Sequence, residues 1–342
     1  MAKTTVASAN ALTKKVWEEK LFRDTLYDTY FNKFMGNSDS SLVQVKTNLE
    51  KQKGDRITFG IRMQLTGDGV TEGQILEGNE EALTTYDYSL TLGQYRHAVR
   101  SNGELDAQRA MYDIYDEQKT ALKEWGAQKI DSLAFAAILA SPTKLFYPSG
   151  SGGDLTVAAS EAAGKAALHA TQSKLNPNFI VQLRTWAMTG GNGAYTPLRP
   201  VRVEGDEYFV LLTHPDSLAD LKMNSTFQNA MRDARERGPS NPLFKGAVAI
   251  WDNVVIHEHR RCTAAADGGG ASVAWNKAVF MGAQSLVWAW GQREKLVEKT
   301  FDYDNEKGVA WGIIAKTGKP VFNSKDYGSL GVYLSRTNIS GQ

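Results

Sequence analysis

His257, Glu258 and His259 have the spacing in this sequence that most resembles a metal site. On a β-strand, residues i and i+2 share a face, so both imidazoles could bind the same ion. No third ligand follows at a convincing spacing, whereas zinc sites use three or four protein ligands. The pattern therefore favours the polar end of a strand, and a metal-dependent enzyme that uses His257 and His259 is the alternative.

Other segments that resemble reactive sites lack the context their chemistry requires. Gly67-Asp68-Gly69 and the glycine-rich segment 189–193 have neither the GK[ST] ending of a P-loop nor a strand–glycine–helix setting. The sequence contains no G-x-S-x-G nucleophile elbow. Cys262 is the single cysteine, which excludes an internal disulfide and favours a structural thiol. We predict no catalytic residue, no cofactor and no metal.

The composition favours a soluble protein with a substantial core. The chain has 342 residues, 42% of them hydrophobic, and a formal net charge of +1. A near-neutral chain gives no electrostatic reason to expect tight nucleic-acid binding. No signal peptide is recognisable, and no apolar run approaches the ~18 residues of a membrane span. We expect a cytosol-made protein without membrane contact.

The elements that position these residues begin with a ribbon and a long helix. Apolar residues alternate over 57–63 and 86–92, which predicts two strands, and the glycine-rich connection between them is acidic. A helix predicted over 104–139 would be ~54 Å long if unbroken, with Gly126 as its soft point. A lone hairpin is marginal in water. The pattern therefore predicts a subunit completed by other copies of itself.

The remaining segments predict a mixture of helices and strands. An amphipathic stretch over 12–35 is typical of a terminal arm, and a small-residue helix is predicted near 155–175. A further helix should begin at Pro177 and end at Gly190, because proline favours a first turn and glycine a C-terminus. A buried strand is expected over 208–212 and a helix cap at His214. The last fifty residues predict strands joined by turns.

Several motifs together resemble the major capsid proteins of N4-like phages, one branch of the HK97-like capsid fold. They are, in order, LTGDGVTEGQILEGNEEALTTYDYSLTLGQYRHAVRSNGELDAQRA, LKEWGAQKID, YFVLLTHPDSLADLK, NPLFKGAVAIWDNVVIHEH, AVFMGAQSLVWAWG, FDYDN and FNSKDYG. The resemblance covers about residues 15–335 and is weakest over 141–200, where a variable segment is expected.

The resemblance implies an α+β chain with the HK97-like fold. It divides the sequence into five segments: an N-terminal arm (1–53), an extended β-hairpin or E-loop (54–102), a peripheral domain's spine helix with a variable segment (103–174), an axial domain (175–290) and strands that return to the peripheral domain (291–342).

The implied function is that of a major capsid protein. Such a protein assembles in the host cytoplasm into the pentamers and hexamers of an icosahedral shell, and resides in the virion of a tailed phage. Its implied partners are itself, scaffold, portal and decoration proteins, and packaged double-stranded DNA contacted non-specifically. It has no implied cofactor or membrane. An encapsulin-like nanocompartment is an alternative with the same fold.

The residues predicted to meet a neighbouring subunit are mostly charged or apolar residues of the ribbon and helix. On the ribbon they are Glu72, Glu77, Glu80, Glu81, Ile75 and Leu76, and on the long helix Arg109, Lys119, Lys123 and Trp125. Lys14 and Lys15 are further possible cations. Phe244 lies in a proline-stiffened loop over 238–246, which suits a contact, with a plain connector as the alternative.

Overall fold

A computed structural model describes residues 29–47, 54–63, 65, 67, 69–110, 113–191, 196–203, 205–233, 249–262, 264–268 and 273–337. Helices and strands are mixed along this part of the chain, which confirms the predicted α+β class. No helix within the described residues is both long and apolar enough to cross a membrane.

The described helices and strands are as follows. The helices are a 3-10 helix (Tyr30–Phe34), α1 (Glu104–Arg109), α2 (Ile114–Ile138), α3 (Glu161–Ala166), α4 (Pro177–Thr189), α5 (Pro215–Met223) and α6 (Ser225–Asp233). The strands are β1 (Met35–Gly36), β2 (Val43–Lys46), β3 (Arg56–Arg62), β4 (Thr85–Thr91), β5 (Gly93–Arg100), β6 (Leu145–Ser149), β7 (Asp154–Ala158), β8 (Val201–Val203), β9 (Asp206–Thr213), β10 (Ala249–Trp251), β11 (Val254–Glu258), β12 (Ala264–Gly268), β13 (Val273–Met281), β14 (Leu286–Phe301), β15 (Glu306–Gly318), β16 (Val321–Phe322), β17 (Lys325–Asp326) and β18 (Ser329–Ser335).

The chain forms two compact units. Counting described residues only, the larger unit draws on the ranges 29–95, 129–294 and 313–337, and the smaller on 96–110, 113–128 and 295–312. The strands β5, β14 and β15 and the helix α2 contribute residues to both. The five segments predicted from the sequence remain a prediction.

A large mixed sheet organises the core of the larger unit. Its strand order is β10-β11-β9-β13-β18-β6-β7, with β12 paired to β13 and β8 paired to β9. The central strand β9 has six consecutive buried residues, Tyr208 to Thr213, because strands cover it on both edges and side chains cover both faces. Phe209, Leu211, Phe280 and residues of α4 and α5 share one extensive apolar cluster.

The helix α4 has the ends predicted from its sequence. The Asn176 side chain accepts a hydrogen bond from the Phe179 N–H at 2.8 Å, Pro177 occupies the first turn, and Gly190 ends the helix in a left-handed conformation. His214 caps α5 as predicted, with its Nδ1 accepting from the Asp216 N–H at 3.3 Å. The segment 155–175 was predicted wrongly as one helix, because β7 occupies its start and α3 covers only six residues.

The long helix predicted over 104–139 is not continuous. The helix α1 ends at Arg109, where Ala110 turns to an extended conformation, and α2 begins at Ile114. The Asp113 carboxylate accepts from the Tyr115 N–H at 2.8 Å and from the Asp116 N–H at 3.4 Å. A side chain that binds the first free N–H groups of a helix defines a new start, so the helix that remains has 25 residues.

Gly126 is not the soft point that the sequence predicts. It lies within the continuous α2, and a Cβ at this position would lie 2.5 Å from Cε2 of Trp311. Trp311 is itself almost fully buried. The glycine is therefore explained by the close approach of an indole ring rather than by a need to bend the helix.

Candidate assembly surface

The predicted ribbon exists, and its base is packed while its tip is not. Strands β3 and β4 pair antiparallel from Arg56↔Thr91 to Arg62↔Thr85. At this base, Ile57 and Leu90 are buried in one apolar cluster with Val287 and Ala289 of β14. The ribbon is thus fixed at one end by its own chain.

The tip of the ribbon, residues 63–84, carries apolar side chains that nothing in the described chain covers. Leu65, Ile75, Leu76 and Leu83 are 55%, 73%, 62% and 57% exposed. Every residue from 71 to 85 is exposed. Scattered exposed leucines are ordinary, but a projecting segment that exposes four large apolar side chains marks a contact surface.

The same tip is strongly acidic. Residues 63–84 include five acidic and no basic side chains. The predicted contact residues Glu72, Glu77, Glu80 and Glu81 all lie on it and are exposed. Local hydrogen bonds shape the tip in place of a core: the Gly67 N–H donates to Glu81 at 2.7 Å, and the Gly78 N–H donates to Glu80 at 2.8 Å.

Two predicted cations of the helices already have partners within the chain. Arg109 lies 3.6 Å from Asp106, and the Lys119 ammonium lies 2.8 Å from the Glu298 carboxylate. The hydrogen bond from Lys119 lowers the pKa of Glu298. Lys123 is exposed. Lys14 and Lys15 lie outside the described residues, so the predicted pairing of these cations with the acidic tip stays a prediction.

The two predicted aromatic contacts have different outcomes. Trp125 packs within its own unit, with its ring centroid 5.4 Å from that of Trp311 in an edge-to-face arrangement and 4.7 Å from that of His97. It is partly exposed, and its contact with another subunit stays a prediction. Phe244 lies outside the described residues.

The histidine pair belongs to an aromatic cluster rather than to a polar strand end. His257 is fully buried, with its ring centroid 5.2 Å from that of Phe34, and His259 stacks on Phe135 at 4.3 Å. Burial, with help from Arg261 and Lys33, lowers the pKa of His259 to about 4. The described residues contain no group of three His, Cys, Asp or Glu side chains placed to hold a metal ion.

Cys262 follows this cluster and is 1% exposed. Burial raises the pKa of its thiol to about 12, so the thiol stays protonated at neutral pH. A protonated, inaccessible thiol is unreactive. This confirms the interpretation of Cys262 as a structural residue.

A groove beside the ribbon base was not predicted from the sequence. It has a volume of about 460 Å³ and is lined by one edge of β3, by three cations and by aromatic side chains. The cations are Lys46, Arg62 and Arg199, which are far apart in the sequence. Because the fold alone brings them together, no local pattern in the sequence could have indicated the groove.

Comparison with known proteins places this architecture among phage capsids. The sequence model of the family described as Phage capsid protein matches residues 3–333. A major capsid protein of Pseudomonas phage KPP25 is 30% identical over 363 residues, covering 94% of this chain and 95% of that protein.

Solved structures show the same similarity. The capsid of Ralstonia phage GP4 has a TM-score of 0.78 at 27% identity and covers 99% of both chains. The capsid of cyanophage Pam1 has a TM-score of 0.81 at 22% identity, covers 99% of this chain and 100% of that chain, and supports the fold. The predicted HK97-like fold is thereby confirmed, whereas the N4-like type remains a prediction. Because the family match spans nearly the whole sequence, this chain belongs to the phage capsid protein family.

Proposed function

We propose that this chain is the subunit of an icosahedral shell, built from its pentamers and hexamers, that encloses the double-stranded DNA of a tailed phage. The observation that carries the proposal is the ribbon, whose base is packed in its own subunit and whose tip exposes Ile75 and Leu76. In a chain of the phage capsid protein family, such a tip is suited to cover a neighbouring copy.

The mechanism follows from the asymmetry of this contact. The tip of one copy would meet a different surface on the next, which makes the contact heterologous, and heterologous contacts close into rings when the rotation between copies permits. In a ring of five or six copies around an axis, every tip would be bound by a neighbour and every receiving surface would be covered. Repetition of one modest contact would therefore build the capsomer.

Apolar burial should contribute more to this contact than charge. Full burial of a leucine or isoleucine side chain is worth about 1.5–3 kcal/mol, and the tip exposes four such side chains. An exposed ion pair is worth about 0–1 kcal/mol. The proposed carboxylates Glu72, Glu77, Glu80 and Glu81 would therefore set orientation and partner choice more than affinity.

The other proposed partners follow from the role of a shell. DNA would be contacted weakly and non-specifically, because a chain with net charge +1 has almost no overall excess of positive charge to attract a polyanion. Scaffold, portal and decoration proteins are further proposed partners. The chain would assemble in the host cytoplasm and perform no reaction. The similarity to phage capsids favours a viral shell over an encapsulin-like compartment.

A test of the proposed apolar contact uses Ile75→Ser/Leu76→Ser. We expect sedimentation velocity to show far fewer closed shells, while circular dichroism stays unchanged because neither side chain is packed in the subunit. Met223→Ser is the control, since Met223 is also exposed, at 66%, but lies at the end of α5. Normal shell yield from the double variant would contradict the proposed role of the tip.

The electrostatic part has its own test, Glu80→Lys/Glu81→Lys. These carboxylates also accept local hydrogen bonds from Gly78 and Gly67. Glu80→Gln/Glu81→Gln is therefore the control, because it keeps acceptor oxygens and removes only the charge. We expect the lysine variant to reduce shell yield more than the glutamine variant. Unchanged yield from the lysine variant would exclude a role for tip charge.

A further inference from the structure

The groove beside the ribbon base has one wall made from the edge of a strand. Six consecutive residues of β3, Ile57 to Arg62, line it. Side chains of a strand alternate between its two faces, so a surface touched by six residues in a row is the main-chain edge. The opposite edge of β3 pairs with β4, and no strand in the described part of the chain pairs with the groove edge.

The groove edge of β3 carries backbone groups that no strand of the described residues pairs with. A Cβ added at Gly60, midway along β3, would meet nothing within 4 Å, so the strand face beside this edge is uncrowded there. Unpaired N–H and C=O groups along a strand edge are a template for another strand, and proteins use such edges to bind extended peptides. The groove volume, about 460 Å³, is in the range of sites that hold a ligand or short segment.

The charge of the groove selects the kind of segment that fits. Lys46 and Arg62 form no ion pair within the described residues, and Arg199 donates only a 3.4 Å hydrogen bond to Gln284. Asp39 is the single carboxylate among the lining residues, and it accepts a hydrogen bond from Gln44 at 2.6 Å. Three cations against one carboxylate favour an acidic occupant.

Aromatic and apolar side chains complete the groove. Phe59, Phe322 and Tyr327 line it together with the cations, and all three are partly exposed. A segment that combines carboxylates with apolar side chains would therefore satisfy both kinds of surface. The ribbon tip has this composition, with five acidic and no basic residues over 63–84 and four exposed apolar side chains.

We propose that the groove edge of β3 receives the acidic ribbon tip of a second copy of this chain as an added strand, with Lys46, Arg62 and Arg199 facing its carboxylates. The inference rests on the proposed self-assembly and names the surface on which the tip docks. The N-terminal segment fits less well, because residues 1–28 include five basic and four acidic side chains. A tip-to-base contact is also heterologous, as a closed ring requires.

A charge exchange tests the pairing. Lys46→Glu/Arg62→Glu places like charges against the tip, and we expect it to lower the yield of closed shells about ten-fold. Adding Glu72→Lys/Glu77→Lys to the same chain should restore yield, because attraction returns with opposite signs. The control is Arg56→Glu, which makes the same change on β3 outside the groove lining. Normal shells from the groove variant, or no recovery in the exchanged chain, would overturn the inference.

If the groove variant fails to fold, a crosslink between the ribbon tip and the groove of a second copy tests the same contact. Thr58→Cys in the groove and Leu83→Cys on the tip are both exposed positions, whereas the native Cys262 is buried. A short bis-maleimide should link copies of the double-cysteine chain into a ladder, and neither single variant should form one. Closed shells without a ladder would overturn the groove contact alone. A wild-type chain that forms no shells under any condition would overturn the proposed function as well.

Discussion

At the scale of single residues, several side chains are fixed by neighbours far away in the sequence. Gly126 faces the buried Trp311, which leaves no room for a side chain on that side of α2. His259 contacts the rings of both Phe135 and Tyr30, and its ring centroid is 4.3 Å and 4.6 Å from theirs. We therefore expect substitutions at Gly126 and at His259 to change the stability of the chain measurably.

Gly126→Ala should destabilise the chain. The new Cβ would overlap the Trp311 ring, and overpacking of this kind costs about 1–3 kcal/mol, more than the ~1 kcal/mol that alanine gains over glycine in a helix. Urea denaturation at low protein concentration measures the change. Gly60→Ala is the control, because its Cβ would meet nothing within 4 Å. Equal stability of wild type and Gly126→Ala would contradict the proposed contact.

His259 should make the fold sensitive to acid. Its folded pKa of about 4 is below the ordinary value of 6.5, so the unfolded chain binds the proton first as pH falls. Its contribution is complete above pH 6.5 and is lost progressively towards pH 4. In His259→Asn, an amide oxygen replaces Nδ1 as acceptor of the 3.1 Å hydrogen bond from the Arg261 N–H.

The free energy of unfolding of both proteins should fall between pH 6.5 and pH 4.5. The fall should be about 1 kcal/mol smaller in His259→Asn than in wild type, after allowance for the partial exposure of the ring. Urea unfolding at the two pH values gives the difference. Identical pH dependence of the two proteins would contradict the environment assigned to His259.

These residues also show where reasoning from sequence stops. The prediction of a strand end is right in position, because β11 ends at Glu258 between the two histidines. Nothing in the local sequence shows that aromatic residues from positions 30–34 and 135 surround them. A glycine within a helical pattern predicts flexibility from propensity alone. For Gly126, the close approach of Trp311 explains the glycine instead.

At the scale of elements, buried polar contacts decide where segments begin. The Asp131 carboxylate of α2 accepts hydrogen bonds from the Tyr30 N–H at 2.8 Å and the Phe31 N–H at 3.4 Å. Asp131 is 2% exposed. It therefore fixes the start of the 3-10 helix Tyr30–Phe34 against a helix a hundred residues away.

Asp131→Ala should release this helix. Loss of an acceptor from buried N–H groups costs about 1–3 kcal/mol, so amide exchange of residues 30–34 should accelerate, as measured by hydrogen–deuterium exchange with mass spectrometry. Asp113→Ala removes the cap of α2 and should instead accelerate exchange near residue 115. Unchanged exchange over 30–34 in Asp131→Ala would contradict the anchoring role.

Element ends were predictable where the sequence carries a local signal. Pro177 and Gly190 define α4 because they act on their own backbone. The break between α1 and α2 was missed, since the apolar stripe continues through it and the cap is a single aspartate. The strand β7 was missed because the alanine-rich sequence that follows it favours a helix, whereas β7 itself pairs with β6.

At the scale of the whole molecule, the order of several motifs identified the HK97-like fold, and that prediction is confirmed by the capsid structures. The two strands of the ribbon and its exposed tip were likewise predictable from alternation and glycine placement, whereas the packing of the ribbon base against β14 was not. The groove was not, because its cations come from β2, β3 and the segment before β8. Assembly through the tip depends on several copies of the chain acting together.

Negative-stain electron microscopy of the purified chain, beside a variant that lacks residues 67–78, tests this claim most directly. We predict closed shells from the intact chain and only rings or single subunits from the deletion. None of the described residues within 67–78 is buried in the subunit, so circular dichroism should match the intact chain. Closed shells from the deletion variant would contradict assembly through the ribbon tip.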